Sequence, residues 1–312
     1  MVYKVVEGTG PLVVSMPHAG ALTPEEVAER MTDAGRAAAD TDWHVNRLYE
    51  FLSELEVPHI RSIYSRYVCD LNRPPDGSPL YEGEAASELC PTRTFDGEAI
   101  YQDGCAPGED EIRSRWRDYW QPYHLALANL MLQAKDRYGV VVLLEAHTIR
   151  SQIPRLFEGT LPDFNIGTRA GSSCAPELRD SVAEVVEAAE GYSHTVDGRF
   201  QGGFITRSYG RRTRARTPCR SNSPSGPTCR KARPGPTATR AAARCARTCA
   251  GSSRRCGRGR KRGLLSDGAA RGDCSARAGR FGGSLSLDGR GQVRVGLPGG
   301  CRGVPPSPSH AI

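Results

Sequence analysis

Val140 to Arg150 reads VVVLLEAHTIR, five apolar residues followed by a glutamate and a histidine. The run Val140–Leu144 is short and apolar at every position, which suits a strand buried on both faces. Strands of that kind belong to parallel sheets covered by helices, and such sheets carry their sites at the C-terminal ends of the strands. His147 therefore falls where the chain leaves the sheet. Working outward, Pro11 to Met16 (PLVVSM) repeats the pattern and ends at Pro17-His18-Ala19-Gly20, which delivers a second histidine to the same edge. Asp110 to Tyr138 is the longest helical pattern, and Trp43 to Leu55 and Pro176 to Ala189 are further helices. Thr23 is the expected N-cap of a helix with Pro24 at its first position, running to about Thr32. Ile60 to Leu71 alternates as a strand, and Gly203 to Thr206 reads as a short one. The fold class that follows is α/β, a mostly parallel sheet flanked by helices.

This organisation covers residues 1–210 only. Up to Gly210 the chain carries 19 Lys and Arg against 32 Asp and Glu; from Arg211 to Ile312 it carries 23 against 3, and the overall +7 hides two opposite charges. Every Trp and Tyr lies before Gly210, and seven of the eleven Cys lie after it. Residues 211–312 hold too few large apolar side chains to offset the entropy of ordering a backbone, so a disordered basic tail is expected. Such a polycation would attract nucleic acid non-specifically, but it has no stacking aromatics and no recognisable binding module. No segment approaches the roughly eighteen apolar residues of a membrane span, and the N-terminus lacks a signal-peptide pattern, which points to the cytoplasm. Cys69, Cys90, Cys105 and Cys174 show no metal spacing and read as reduced thiols.

Two histidines and a carboxylate holding zinc, with one position open to water, form a hydrolytic arrangement. Asp42 of Asp40-Thr41-Asp42-Trp43 is the favoured carboxylate beside His18 and His147, with Glu26 its rival. Arg66 and Arg73 lie in Ser65-Arg66-Tyr67-Val68-Cys69-Asp70-Leu71-Asn72-Arg73-Pro74. A guanidinium grips a carboxylate through two charge-assisted hydrogen bonds, so these arginines suit a small acidic substrate. Equally, either could pair with Asp70 as a structural ion pair.

Five blocks carry a family resemblance: MPHAG (Met16–Gly20), DTDWHVNRLYEF (Asp40–Phe51), SRYVCDLNRPPDG (Ser65–Gly77), EAHTIRSQIPRLFEGTLPDFNIGT (Glu145–Thr168) and GRFQGGFITRSYG (Gly198–Gly210). In this order they resemble the N-formylglutamate amidohydrolases, also called deformylases. The resemblance implies a zinc-carboxypeptidase-like hydrolase fold, one zinc ion, and release of formate and glutamate from an N-acyl amino acid in histidine degradation. It makes His18 and His147 zinc ligands, while the third, Asp42, rests on the reading of the residues alone. Arg66 polarises the scissile carbonyl, Asn72 and Arg73 clamp one substrate carboxylate, and Arg207 is a candidate for the other. Related enzymes take their ligand carboxylate three residues after the first histidine, where this chain has Ala21. The motifs leave open another acyl group on the amino acid.

The resemblance stops at Gly210. Members of the family continue with a histidine, a leucine-rich strand and a glutamate on that strand, whereas this chain runs RRTRARTPCRSNSPSGPTCRK (Arg211–Lys231). Joining each residue's third codon base to the first two bases of the next codon permits His at Arg216-Thr217, Gln at Cys219-Arg220 and Glu at Ser221-Asn222. Pro227-Thr228 likewise permits Tyr, and Thr228-Cys229 permits Met. An excess of Arg, Gly, Pro, Ala and Ser is also what GC-rich coding DNA yields out of frame. A reading-frame error is therefore expected to cost this chain its general-base glutamate and its last core strand, leaving an exposed sheet edge. The competing reading is a natural fusion whose basic tail binds nucleic acid.

Overall fold

The computed structural model describes residues 1–80 and 87–210, together with the backbone of 216–225, 284–287 and 293–296. Two compact units divide the chain, Met1–Leu265 and Ser266–Ile312. In the second, Ser284–Leu287 pairs antiparallel with Val293–Gly296. Most of the expected disordered tail lies outside the described residues.

The first unit is a mixed α/β structure. Its strands are β1 (Tyr3–Val6), β2 (Leu12–Met16), β3 (His59–Ser62), β4 (Val141–Arg150), β5 (Phe164–Gly167), β6 (His194–Val196) and β7 (Arg216–Ser225). They form one sheet in the order β1-β3-β2-β4-β7-β5-β6, with β1–β3 and β5–β7 antiparallel and the other pairs parallel. Side-chain alternation divides the core. Leu12, Val14 and Met16 of β2, Val142, Leu144 and Ala146 of β4, and Phe164 and Ile166 of β5 join one cluster. That cluster also takes Val45 and Leu48 from α1 (Val45–Leu48), Phe51 and Leu52 from α2 (Phe51–Glu54), and Leu178, Val182 and Val186 from α3 (Pro176–Glu187). The opposite face meets the 18-residue helix Gln121–Tyr138, whose Tyr123 hydroxyl lies 2.9 Å from the Ser15 hydroxyl. Gly139, at φ 71°, ends that helix in the left-handed conformation glycine tolerates, and its N–H bonds the Lys135 carbonyl.

Several elements differ from the sequence pattern. The long helix expected from Asp110 is interrupted at Trp116–Trp120 by a π-helical turn just before Pro122, which has no N–H to return to Asp118. Trp43–Leu55 forms the two short turns α1 and α2 rather than one helix. Pro24, not Thr23, is the N-cap of a single turn at Glu25–Ala28, and Thr32 instead caps the next turn by accepting from the Gly35 N–H. The strand expected over 60–71 stops at Ser62. Beyond it the backbone turns on itself, with Val68 N–H bonded to Ser65 O and Arg73 N–H to Asp70 O. The strand expected at 203–206 is instead a helical turn, Phe204–Tyr209. Four residues are too few to separate the two periods.

Beyond Gly210 the expected exposed edge is closed: β7 lies between β4 and β5 and pairs with both. The residues in that slot include Pro218 and Pro224. Proline cannot donate to a ladder and is ordinarily confined to edges and bulges. Backbone position and amino-acid sequence therefore disagree at β7.

Candidate metal centre and active site

The parallel register of β2 and β4 pairs Ser15 with Glu145, so the chain delivers His18 and His147 to the same edge of the sheet. β4 runs on to Arg150, which places His147 within the strand rather than after it. Glu145 and His147, two residues apart, share a face. His18 sits in the turn after β2, and its carbonyl accepts the Asp42 N–H at 3.0 Å, which draws the Asp40–Trp43 segment over the strand ends. The two imidazole centroids are 5.0 Å apart. One ligand atom each from His18, Asp42 and His147 falls within 4.8 Å of the others, and all three residues are buried.

The remaining imidazole nitrogens face carboxylates. His18 Nε2 is 2.7 Å from Asp70 Oδ1, and His147 Nε2 is 2.7 Å from Glu145 Oε1. On the other side of the rings, Asp42 Oδ2 is within hydrogen-bond reach of His147 Nδ1 at 2.7 Å and stands 3.9 Å from His18 Nδ1. His18 Nδ1 is buried without a hydrogen-bond partner, a costly arrangement that a cation would relieve. Burial, reinforced by the Arg66 charge, lowers the His18 pKa to about 4, so the ring stays neutral as a ligand must. Burial alone would raise Asp42, but His147, His18 and Arg66 together outweigh it and hold the carboxyl below its ordinary range. Two imidazoles and a carboxylate, each histidine backed by a second carboxylate, fit a single divalent ion.

A second set of residues adjoins this centre. Arg66 is buried and bonds Asp70 through Nη2, with its guanidinium carbon 4.8 Å from the centre of the Phe95 ring. The ion-pair reading of Arg66 is thus correct as geometry, although the pair is buried beside His18 rather than exposed. Burial would push Asp70 up, but Arg66 and then His18 carry it well below the usual carboxylate range. Asn72 donates to Glu145 through Nδ2, and its Oδ1 accepts the Ile205 N–H at 2.9 Å. Thr206 donates to the other Glu145 oxygen at 2.7 Å. Arg73 and Arg66 line a cavity of about 240 Å³. Arg207 is not among the residues lining that cavity and donates to the Pro79 carbonyl at 2.9 Å. Glu26, the rival ligand, is exposed on its short helix.

The structure therefore brings together His18, Asp42, His147, Arg66 and Asn72, with Arg73 at the cavity and Arg207 elsewhere. Sequence reasoning did not assign Asp70 and Glu145 as the carboxylates behind the histidines. The i, i+2 spacing of Glu145 and His147 on one strand was a usable signal. Asp70 had none, because its part depends on how the loop after β3 folds back. The four cysteines before Gly210 are free, and three are buried.

A family model described as N-formylglutamate amidohydrolase matches residues 10–219. The N-formylglutamate deformylase of Pseudomonas aeruginosa PAO1 is 47% identical over 203 residues, and that of Pseudomonas putida 44% over 204. Each alignment spans 65% of this chain and 76% of the relative. The crystal structure of an N-formylglutamate amidohydrolase from Ralstonia eutropha JMP134 superposes with a TM-score of 0.63 at 22% identity. It covers 84% of this chain and 99% of that one, a likeness of fold. With the family model spanning more than half of its length, the chain belongs to the N-formylglutamate amidohydrolase family.

Proposed function

We propose that this chain is built to hydrolyse N-formyl-L-glutamate to formate and L-glutamate, with one zinc ion held by His18, Asp42 and His147. The observation that carries this reading is the convergence of three buried donor groups, with Asp70 and Glu145 behind the histidines, next to Arg66 and Asn72. When bound, zinc supplies Lewis-acid polarisation and lowers the pKa of water toward about 7. Arg66 meets the charge that develops on the formyl oxygen, and Asp70 fixes its orientation. Arg73, next to Asn72, clamps a substrate carboxylate. Water's oxygen joins the formyl carbon, the C–N bond breaks, and the departing nitrogen takes a proton given up by that water. Grouping with zinc carboxypeptidases is part of the same reading, as is a cytoplasmic location, where free thiols persist. Zinc content and formate release from N-formyl-L-glutamate test it; a metal-free chain with normal turnover overturns it.

The same reading extends to residue 211 and beyond, which we take to be translated out of register. Restoring the frame permits glutamate at Ser221-Asn222, and in β7 those residues pair with Ala146 and His147. A carboxylate there would be a base within reach of the metal-site edge, a role that neutral Ser221 and Asn222 cannot fill. Two prolines in a strand bonded on both sides support the same conclusion. The nucleotide sequence across codons 205 to 235 is the test: bases that forbid the alternative triplets overturn it.

A further inference from the structure

N-formyl-L-glutamate carries two carboxylates, and the residues discussed so far account for one. The cavity that Arg66 and Arg73 line continues to Arg93 and Arg155 on the Thr92–Glu98 and Ile153–Phe157 segments. Its acids are largely engaged. Asp70 holds His18 and Arg66, Asp40 accepts from the Tyr67 hydroxyl and the Phe95 N–H, and Glu88 accepts from Thr92. Arg93 gives one donor to the Gly97 carbonyl at 2.9 Å. Among the described residues neither Arg93 nor Arg155 takes part in an ion pair, whereas Arg150, on the same stretch of chain, is held by Asp96 and Asp40. The stem of Arg155 lies over Gly97, where a Cβ would come within 3.2 Å of its Cδ and Nε. Glycine at that point, with φ 92°, leaves the side chain room to lie along the cavity.

We propose that Arg155, assisted by Arg93, binds the distal carboxylate of the substrate and is the specificity-determining residue for an acidic side chain. This deepens the function proposed above and rests on it. Arg207, the candidate from the sequence, gives one donor to the Pro79 carbonyl and does not line the cavity. The division of labour is then spatial: Arg73 near Asn72 reads the carboxylate that every amino acid has, and Arg155 at the exposed mouth reads the one that glutamate adds.

Calorimetric binding of N-formyl-L-glutamate and N-formyl-L-glutamine to the full-length zinc-loaded chain tests this. The two ligands have nearly the same shape, and only the first carries the distal charge. Losing a charge-assisted bond of about 1.5–3 kcal/mol corresponds to about 10- to 100-fold. Arg155→Gln should weaken N-formyl-L-glutamate by that factor and leave N-formyl-L-glutamine within about twofold, with Arg93→Gln showing a smaller loss in the same direction. Arg73→Gln should weaken both ligands alike. Both positions are exposed, so circular dichroism should show an unchanged fold. Equal losses for the two ligands, or no loss, in Arg155→Gln overturns the clamp and leaves the deformylase reading standing. An unsubstituted chain that binds neither ligand overturns the deformylase reading itself.

Discussion

β4 and β7 lie side by side in one sheet, paired residue for residue from Val141–Arg216 to Arg150–Ser225, yet their sequences have almost nothing in common. In β4 each level agrees: an apolar run, a buried strand, and polar residues where the sheet edge needs them. In β7 the backbone occupies a central slot while the residues are Arg, Thr, Pro, Cys, Ser and Asn. Natural sequences are locally consistent with their folds, and the out-of-register reading proposed above would account for the conflict at β7.

The sharpest way to break this comparison is to rebuild β7. Restoring the alternative frame from codon 211 should raise kcat for N-formyl-L-glutamate by about 10²- to 10⁴-fold, the usual worth of a positioned base. Equal turnover by the two proteins would leave the conflict at β7 without functional meaning. Next in size, Leu144→Ala removes a fully buried β4 side chain and should cost about 2–5 kcal/mol in denaturant unfolding. Should the unsubstituted chain unfold without a cooperative transition, β4 would not be the well-formed member of the pair. Asp70→Asn retains the shape behind His18 but removes the charge, and should lower zinc affinity about 10- to 100-fold in competition with a chelator. An unchanged affinity would detach Asp70 from the metal site.

The smallest effect lies far from both strands. Glu111 is held below its ordinary pKa chiefly by its hydrogen bond to Arg30, then by Arg115. A depressed folded-state pKa gives stability that is present above the unfolded value near ~4.3 and is lost as pH falls through the lower folded value. Because the pair is partly exposed, Glu111→Gln should cost only about 0.3–1 kcal/mol at neutral pH, with the difference fading below about pH 4 in urea titrations.

The legible parts of the fold were those with long or continuous patterns. β2, β4 and the helix from Pro176 declare themselves through several turns or an unbroken apolar run. β1, β5 and β6 have three or four residues each, too short for a period to emerge from the sequence. In the site, His18 and His147 were visible because each closes an apolar run, and Asp42 because it lies in a dense polar motif. Asp70, Arg93 and Arg155 were not, since they reach the site from loops whose paths depend on tertiary contacts. The loop from Ser65 to Arg73 shows why: its Asp70 carboxylate accepts the Asn72 N–H at 2.9 Å, a local turn that alternation of apolar residues disguises as a strand.

Among the described residues, β5 and β6 join the rest of the sheet only through β7. That makes β7 a hinge pin for the block containing β5, β6 and α3, so its hydrogen bonds set how readily the block opens as a unit. Amide exchange should then divide β4 from β5 whenever β7 is weakened, with Asn165 and Gly167 losing protection while Val142 and Leu144 keep the partners that β2 provides.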